Sequence, residues 1–418
     1  MENNEKLSAE QSLKIISEAI EQSRNEIMQN AGAPMVFWGA LTCVTSIIIW
    51  ILWTATDNPS WNALWFLMAI TGWSIMTVKM KKQRGRPSNI LSKILCVSWI
   101  SFGLFAMVTA ILGTISLNSF HYADKLPIAS VLILLLGLTG MTTGLLLRNK
   151  IIVLLAIISI FISNSALMHP GPYDCIAICA TSLILLIIPG IIINRIYKKK
   201  IMDMENNEQL SAQQSLKIIS EAIEQSRKDM TRSCGKTLLM WGTIICLTAT
   251  VIGFLWKLTG SWYWNFMWLV MVFGGLLANR KITRSENIAG TPKMFVNDMV
   301  KNIWKAFAVT VFIAILAGPF SIFDGESQSH ELPITATIII CISLAAFITG
   351  LVLKSNTIIL CNCAGAYSST SAALESNGAM EMAAVFMAGL IMMVVPALII
   401  LYRMKRAGEG AAQAENNE

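Results

Sequence analysis

The side chains that could bind a metal or perform catalysis are few and widely separated. His121, His169 and His330 stand in three different polar segments, and no two of them share a metal-ligand spacing. The closest cysteines are Cys175 with Cys179 and Cys361 with Cys363. Zinc sites add a histidine or a second cysteine pair at short spacing, and neither pair has such a neighbour. Since the Walker, dinucleotide-binding and Gly-x-Ser-x-Gly patterns are also missing, we expect no catalytic residue, no metal site, no cofactor and no enzyme activity.

Polar side chains inside long apolar stretches are the next candidates. Ionisable residues at such positions mark ion paths and proton relays, but the centres of these stretches contain none, which disfavours a charge-coupled pump. Asn164 and Asn362 remain, and we expect them to join neighbouring helices by hydrogen bonds rather than to bind a substrate. Residues 361–374, CNCAGAYSSTSAAL, are unusually rich in small and polar types. Asn362, Ser368 and Thr370 are therefore the candidate lining of a cavity.

Small residues at four-residue spacing predict two places where helices approach closely. One is the pair Gly140 and Gly144, and the other, later in the chain, is Ala346 and Gly350. Because side chains four residues apart share a helix face, small residues there let a neighbouring helix come near. We expect this packing role, and no chemistry, for all four residues.

These residues belong to a chain of 418 residues that is 55% hydrophobic and only 14% charged, with a mean hydropathy of +0.60. A soluble chain carries about 25% charged residues, so the composition excludes a soluble globular enzyme, a disordered protein and a disulfide scaffold. The apolar blocks are long enough, at a rise of about 1.5 Å per residue, to cross a hydrocarbon layer of about 30 Å. Since backbone groups in lipid must bond within their own segment, we predict an all-α polytopic membrane protein.

The chain contains one sequence unit twice. Residues 1–24 (MENNEKLSAEQSLKIISEAIEQSR) and 204–227 (MENNEQLSAQQSLKIISEAIEQSR) differ at two positions only. The match continues more thinly through Trp38-Gly39 with Trp241-Gly242, Leu126-Pro127-Ile128 with Leu332-Pro333-Ile334, Thr143-Gly144-Leu145 with Thr349-Gly350-Leu351, and Pro189 with Pro396. An internal repeat of this length indicates that a whole structural unit was duplicated. Because proline disrupts a helix, we expect Pro189 and Pro396 to kink the last helix of each unit.

The repeat divides the chain into five segments. Residues 1–34 and their copy, 201–236, are predicted to be amphipathic cytoplasmic helices, residues 35–200 and 237–406 six-span membrane repeats, and residues 407–418 a disordered cytoplasmic tail. The expected total is twelve transmembrane helices. An even number of spans makes the two units face the same way, so we expect parallel repeats that form a pseudo-dimer within one chain.

The basic residues predict the orientation of these spans. The net charge is +7, and every Lys and Arg except Lys125 and Lys257 falls in segments on one side of the expected membrane. Acidic residues such as Asp57 and Asp174 fall on the other side. Under the positive-inside rule, both termini and the connector near Lys200 are cytoplasmic, and the protein lies in the cytoplasmic membrane. The positive charge therefore indicates orientation in a lipid bilayer and not nucleic-acid binding.

The two amphipathic helices share a heptad pattern. Ser8 and Ser211 each begin a capping box. Apolar residues then follow at alternating spacings of three and four, which is typical of a two-stranded coiled coil. The predicted seam consists of Leu13, Ile16, Ile20 and Ile27 in the first helix and Leu216, Ile219, Ile223 and Met230 in the second. Gly32 and Gly235 are expected to end the helices.

Three interpretations of these helices stay open. They could pair only with each other, since both run in the same direction from the cytoplasm into a first span. They could instead offer leftover apolar surface, such as Ile15 and Ile218, to a cytoplasmic partner protein. They could also lie on the bilayer, although residues 1–34 hold six acidic and three basic side chains, a poor match for anionic lipid.

Two resemblances follow from these features. Six plus six parallel spans with a basic loop between the second and third are similar in topology to the major facilitator superfamily. Arg84-Gly85-Arg86 resembles part of the loop motif of that superfamily, although the aspartate that precedes it there is missing. The opening helix followed by Trp38-Gly39 resembles bacterial multi-spanning membrane proteins of uncharacterised activity.

This organisation predicts one of two functions. We expect a non-catalytic scaffold or signalling component whose paired cytoplasmic helices associate with each other or dock a partner protein. The alternative is a secondary transporter or permease for a neutral or hydrophobic solute. A transporter requires a polar cavity between the two repeats, whereas a scaffold requires a packed seam there.

Overall fold

The structure is a computed structural model that describes residues 9–82, 90–119, 127–168, 171–195, 212–288, 295–322, 334–374 and 378–415. These residues form twelve helices, and there is no strand among them. The all-helical fold class predicted from the sequence is therefore confirmed. The regions before and after residue 204 are called the first and second half below.

The helices follow one another along the chain in the order of the sequence repeat. In the first half they are α1 (Ala9–Thr56), α2 (Leu64–Lys82), α3 (Ile90–Ser119), α4 (Ile128–Leu146), α5 (Lys150–Met168) and α6 (Tyr173–Arg195). In the second half they are α7 (Ala212–Thr259), α8 (Met267–Ile288), α9 (Phe295–Ile322), α10 (Ile334–Val352), α11 (Asn356–Leu374) and α12 (378–415). Short 3-10 turns, Pro59–Ala63 and Trp262–Phe266, precede α2 and α8.

Nine of the helices contain a stretch that is long and apolar enough to cross a membrane, judged by length and composition within the described residues. They are α1, α2, α3, α4, α6, α7, α9, α10 and α12. The apolar part of α5 is shorter, Lys150–Ser163. The other two helices are less apolar, because α8 ends in a basic stretch around Arg280 and α11 carries the small and polar residues.

The centre of the molecule is formed by α4 and α10. In their apolar stretches 78% and 72% of the residues are buried, against 6% in α2, which lies at the edge. From the first half α3 packs against α10 and α11, and from the second half α9 packs against α4 and α5. Phe105 of α3 meets Phe347 of α10 edge to face, with ring centroids 5.6 Å apart. The two halves therefore share one continuous apolar core.

Both α1 and α7 run unbroken from the amphipathic segment into the first apolar segment. The prediction that Gly32 and Gly235 end these helices is wrong, because both helices pass through the glycines. A glycine can end a helix or admit a close neighbour, and here it admits a neighbour. A Cβ at Gly32 would overlap the Asn194 side chain of α6 and lie 2.7 Å from the carbonyl oxygen of Gly190. The expected boundaries at residues 34/35 and 236/237 thus fall inside continuous helices.

A proline distinguishes α1 from α7 at this point. Pro34 lies inside α1, whereas the sequence repeat places Thr237 at the matching position of α7. Proline lacks the N–H that a helix needs, and its ring crowds the carbonyl four residues earlier. The backbone nevertheless stays helical on both sides of Pro34.

The last helix extends beyond the expected end of the membrane repeat. Its final part is Val395–Glu415, so the helix reaches into residues 407–418, where the sequence predicts a disordered tail. This end of the chain contains Ala411, Ala412 and Ala414. Alanine has the highest intrinsic helix propensity, which accounts for the extension.

The α4–α5 and α10–α11 connections are the same tight turn. Arg148 and Lys354 both have a φ of 52°, in the left-handed position that glycine usually takes after a helix. The Asn149 N–H donates to the carbonyl of Gly144 at 2.8 Å, and the matching bond from Ser355 is also 2.8 Å. Each turn places a cation at the C-terminal end of a helix, where the helix dipole favours positive charge.

The first connection of each half is closed by a tryptophan. The Trp61 Nε1–H donates to the Thr56 hydroxyl at 2.9 Å, and the Trp264 Nε1–H donates to the Thr259 hydroxyl at 2.8 Å. Each bond joins a tryptophan of the connecting turn to the last residue of the preceding helix, α1 or α7. The indole N–H is therefore satisfied within the turn while the ring stays apolar.

Candidate functional site

The sixth helix of each half contains a π-helical turn that ends two residues before its proline. The turns are Leu183–Ile187 in α6 and Leu390–Val394 in α12. The N–H that follows each turn donates five residues back, as Ile188 does to Leu183. A proline cannot donate to the carbonyl four residues earlier, and a π turn is one adjustment of the helix to such a disturbance. Because π turns are frequent at functional sites, these two turns mark the first candidate site.

The first helix of each half crosses the π turn at a glycine. A Cβ added to Gly39 would lie 2.7 Å from Ile187 Cγ1 and 2.9 Å from Leu186 Cβ. A Cβ added to Gly242 would lie 2.7 Å from Met393 Cβ. Contacts this short leave no space for a side chain. The glycine of the repeated Trp-Gly pair therefore allows α1 to pack on α6 and α7 to pack on α12.

The tryptophan of the same pair contacts the second helix. The Trp38 ring covers Gly72 of α2, where an added Cβ would lie 2.5 Å from the ring, and Trp241 covers Gly275 of α8 in the same way. Adjacent residues of a helix point about 100° apart, so one dipeptide meets two neighbours. The Trp-Gly pair thus fixes the second and sixth helices around the first.

The arms, defined as residues 9–31 of α1 and 212–230 of α7, carry the predicted seam. Their backbone is helical. The side chains of the eight seam residues lie outside the described residues, as do Ser8 and Ser211 of the capping boxes; the eight are Leu13, Ile16, Ile20, Ile27, Leu216, Ile219, Ile223 and Met230. The pairing of the two arms therefore stays a prediction.

Three of the four small residues singled out for packing contact helices of their own half, and the fourth is buried. A Cβ at Gly140 would lie 2.7 Å from the Leu185 side chain of α6, and one at Gly144 would lie 2.9 Å from the α5 backbone. Gly350 faces α11 in the same manner at 3.0 Å, and Ala346 is fully buried on α10. The small faces of α4 and α10 thus hold neighbouring helices of the same half.

The three candidate cavity residues lie on α11. The Asn362 side chain is fully buried, and its Nδ2 donates to the carbonyl of Ile358, one turn earlier, at 2.8 Å. The Ser368 hydroxyl donates to the carbonyl of Gly365 at 2.5 Å. The side chains of Thr370 and Asn164 lie outside the described residues. Both donors are used within α11, and the Asn362 Oδ1 has no hydrogen-bond partner among the described residues.

A methionine of the second π turn fills the space beside this polar helix. The Met392 side chain occupies the position that a Cβ on Gly365 of α11 would need. Its sulfur accepts a hydrogen bond from the Ser343 hydroxyl of α10 at 3.5 Å. An unbranched thioether adapts well to irregular space, and here it joins α10, α11 and α12 in one contact.

Buried hydroxyls without a hydrogen-bond partner lie at different positions in the two halves, and in the second half they are those of Thr310 and Thr337. Three fully buried serines have no hydrogen-bond partner among the described residues, Ser46 of α1, Ser159 of α5 and Ser182 of α6. The sequence repeat places Ala249, Gly365 and Gly389 at the corresponding positions. These three serines are not among the predicted site residues, although alignment of the two halves of the sequence shows the substitution at each position.

The described residues contain no group of three His, Cys, Asp or Glu side chains that could hold a metal. His121, His169 and His330 lie outside the described residues. One contact between cysteines joins α1 to α6, where the Cys43 thiol donates to the backbone carbonyl of Cys179 at 3.5 Å. This bond recurs in the second half without a second cysteine, since Cys246 donates to the carbonyl of Phe386. The contact therefore has a packing role in both halves.

Comparison of the chain with protein-family models, with curated proteins and with solved structures finds no match.

Proposed function

We propose that the protein is a multi-spanning protein of the cytoplasmic membrane that acts as a non-catalytic scaffold or signalling component, with the two arms as its docking elements. In this proposal the twelve helices cross the membrane as two parallel six-helix repeats. The arms and both chain termini lie in the cytoplasm. The arms pair with each other, and the apolar surface that remains on the pair binds a partner protein.

Membrane insertion is supported by the outer surface of the helix bundle. Large apolar side chains cover it; Ile70, Val270 and Phe273, for example, are 65%, 71% and 67% exposed. Soluble monomers rarely expose contiguous apolar patches of this kind. A surrounding hydrocarbon layer would cover them at no cost, and the nine long apolar helices have the length for it.

The continuity of each arm with the first helix of its half carries the docking proposal. α1 is a single helix of 48 residues, and α7 has the same length. Where arm and first helix meet, Gly32 packs directly against Gly190 of α6. A partner bound to an arm would therefore act on a continuous helix that packs against the rest of its half.

The similarity of the arms to each other also supports a shared binding role. The openings differ at two of 24 positions, while the apolar helices have drifted much further. Duplication alone would leave both regions equally similar. The difference indicates that the arms meet a tighter requirement than the helices that follow them, as expected if both contact the same molecule.

The contact between the halves favours a scaffold over a permease. A permease for a neutral solute would need a polar passage between the two repeats. The side chains that meet there include Phe105 and Phe347, which belong to one apolar core. Apolar packing of this kind is expected of a scaffold, in which the two repeats stay in contact.

Cross-linking tests the pairing of the arms. Parallel, in-register pairing brings Ile20 and Ile223 together, so Ile20→Cys/Ile223→Cys should form a disulfide readily in mild oxidant. Glu18→Cys/Glu221→Cys, at matching positions away from the seam, is the control. Peptide mass spectrometry distinguishes the new bond from bonds of native cysteines. Equal yields for the two pairs would contradict paired arms.

Affinity capture tests partner docking separately. Capture from membranes on the full chain is compared with capture on an Ile15→Asp/Ile218→Asp variant, which leaves the seam intact. We expect the captured partner to be lost, and Glu18→Gln/Glu221→Gln to retain it. An unchanged set of captured proteins would refute docking on this surface.

A further inference from the structure

A shallow, open depression of about 660 Å³, called the groove below, lies on the surface of α12 beside Leu398, Ile399, Tyr402, Arg403 and Arg406. These positions are spaced by three, four and seven residues, so they form one face of the helix. Along this face the side chains change in order from aliphatic to aromatic to cationic. The groove is therefore polarised along the helix axis.

The groove has an apolar end and a cationic end, which suit a molecule with an apolar chain and an anionic group. Leu398 and Tyr402 are 52% and 66% exposed and offer an apolar wall. Arg403 and Arg406 are also exposed, and a guanidinium group binds a phosphate through two parallel hydrogen bonds. Leu398 and Arg406 are about 12 Å apart along the helix axis, at about 1.5 Å per residue. A ligand with an anionic phosphate and a long apolar chain matches this spacing.

We propose that this groove binds an anionic phospholipid. The phosphate lies between Arg403 and Arg406, and an acyl chain follows Tyr402, Ile399 and Leu398 away from the charged end. The inference rests on the proposed membrane insertion, which places this end of α12 at the cytoplasmic headgroup layer. Basic pockets beside helices on that side of a membrane are suited to anionic headgroups.

The sequence repeat places different side chains at two of the matching positions of the first half. The sequence repeat matches Tyr402 with Arg195 of α6 and Arg403 with Ile196. A cation thus replaces the aromatic wall, and an aliphatic residue replaces the first phosphate ligand. We therefore expect the lipid preference to depend on the side chains of the α12 groove.

The test measures lipid binding to the purified full chain by native mass spectrometry in a neutral detergent. Dioleoyl-phosphatidylglycerol is titrated in parallel with dioleoyl-phosphatidylcholine. Each arginine near an anionic headgroup is worth about 5-fold in affinity, so we expect the phosphatidylglycerol preference to be about 30-fold for the first bound lipid. Arg403→Gln/Arg406→Gln should reduce this preference to about 1-fold to 2-fold by the same reasoning.

A matched control separates the groove from the net charge. Arg280→Gln/Lys405→Gln also removes two cations from the same side but leaves the lining of the groove unchanged, and it should retain the preference. A second variant, Tyr402→Ala, should weaken both lipids equally and keep the preference, because it alters only the apolar wall. Equal loss in the control and in the arginine variant would overturn the proposal, and so would equal binding of the two lipids by the unchanged protein.

Inorganic phosphate distinguishes a lipid site from a site for a free anion. We expect phosphate at millimolar concentration to leave the bound phosphatidylglycerol in place, since it cannot replace the acyl contacts. Displacement of the lipid by phosphate would overturn the assignment to a lipid. A protein that stays in solution without detergent would instead refute membrane insertion, so the two failures are distinguishable.

Discussion

Ser46 is fully buried between helices without a hydrogen-bond partner among the described residues, like Ser159 and Ser182 in the same half. By contrast, the equally buried Ser101 donates to the carbonyl of Val97, one turn earlier, at 2.7 Å. A buried polar group without a partner costs about 1–3 kcal/mol of stability. The second half avoids this cost at the position matching Ser46 because it has Ala249 there.

Ser46→Ala should therefore stabilise the protein. We expect the free energy of unfolding to rise by about 1 kcal/mol, measured by denaturant titration of the purified protein in detergent. Ser101→Ala is the control, since it removes a satisfied hydroxyl of equal burial, and it should lower stability by about 0.5–1.5 kcal/mol. A larger loss for Ser46→Ala than for Ser101→Ala would show that the Ser46 hydroxyl has a partner, such as a bound water.

Among the helices, the arrangement of each half depends on the Trp-Gly pair of its first helix. Trp38 holds α2 and Gly39 holds α6, and their copies hold α8 and α12. The contact partner of the glycine in each half is a π turn, whose shape a straight α-helix would not reproduce. The two elements are therefore matched to each other, and a change in either disturbs the contact.

Gly39→Ala should destabilise the protein although alanine is the better helix former. The added Cβ meets Ile187 and Leu186 at 2.7 and 2.9 Å, and relief of such overpacking costs about 1–3 kcal/mol. Gly274→Ala is the matched control, because nothing lies within 4 Å of its added Cβ, and it should stabilise by about 0.5–1 kcal/mol. Thermal unfolding in detergent measures both changes. A neutral Gly39→Ala would contradict a tight α1–α6 contact.

For the whole molecule, the central question is whether the two halves face the same way. The α4–α5 and α10–α11 turns have the same backbone geometry and a cation at the same position, Arg148 or Lys354. Parallel repeats would place both turns in the cytoplasm. Inverted repeats would place them on opposite sides of the membrane.

The exposed residues that follow these two turns, at positions 150 and 356, should therefore be equally accessible to a chemical label. Lys150→Cys and Asn356→Cys should react with a membrane-impermeant maleimide only after the membrane is opened, whereas Asp57→Cys should react in intact cells. Peptide mass spectrometry locates the label among the native cysteines. Opposite accessibility of positions 150 and 356 would refute parallel repeats.

The sequence predicts the features of this fold that are repeated or that involve many residues. The all-helical class and the apolar helices could be anticipated. Kinks are predicted at Pro189 and Pro396, and the structure shows a π-helical turn before each proline. The continuity of α1 through Gly32 could not, because a glycine that ends a helix and one that admits a neighbour look identical in sequence. The α12 groove was missed for a related reason, since Tyr402, Arg403 and Arg406 read individually as ordinary residues at a membrane interface.

Pro34 has a mechanical consequence. A helix with a proline has lost one backbone hydrogen bond at that level, so α1 can hinge there with less resistance than α7, which has Thr237. A force applied to the arm of α7 is then transmitted to the rest of the second half. Bending at Pro34 takes up part of a force applied to the arm of α1. The two arms are thus joined to the helix bundle with unequal stiffness. A molecule that binds both arms and pulls on them would rotate the second half more than the first.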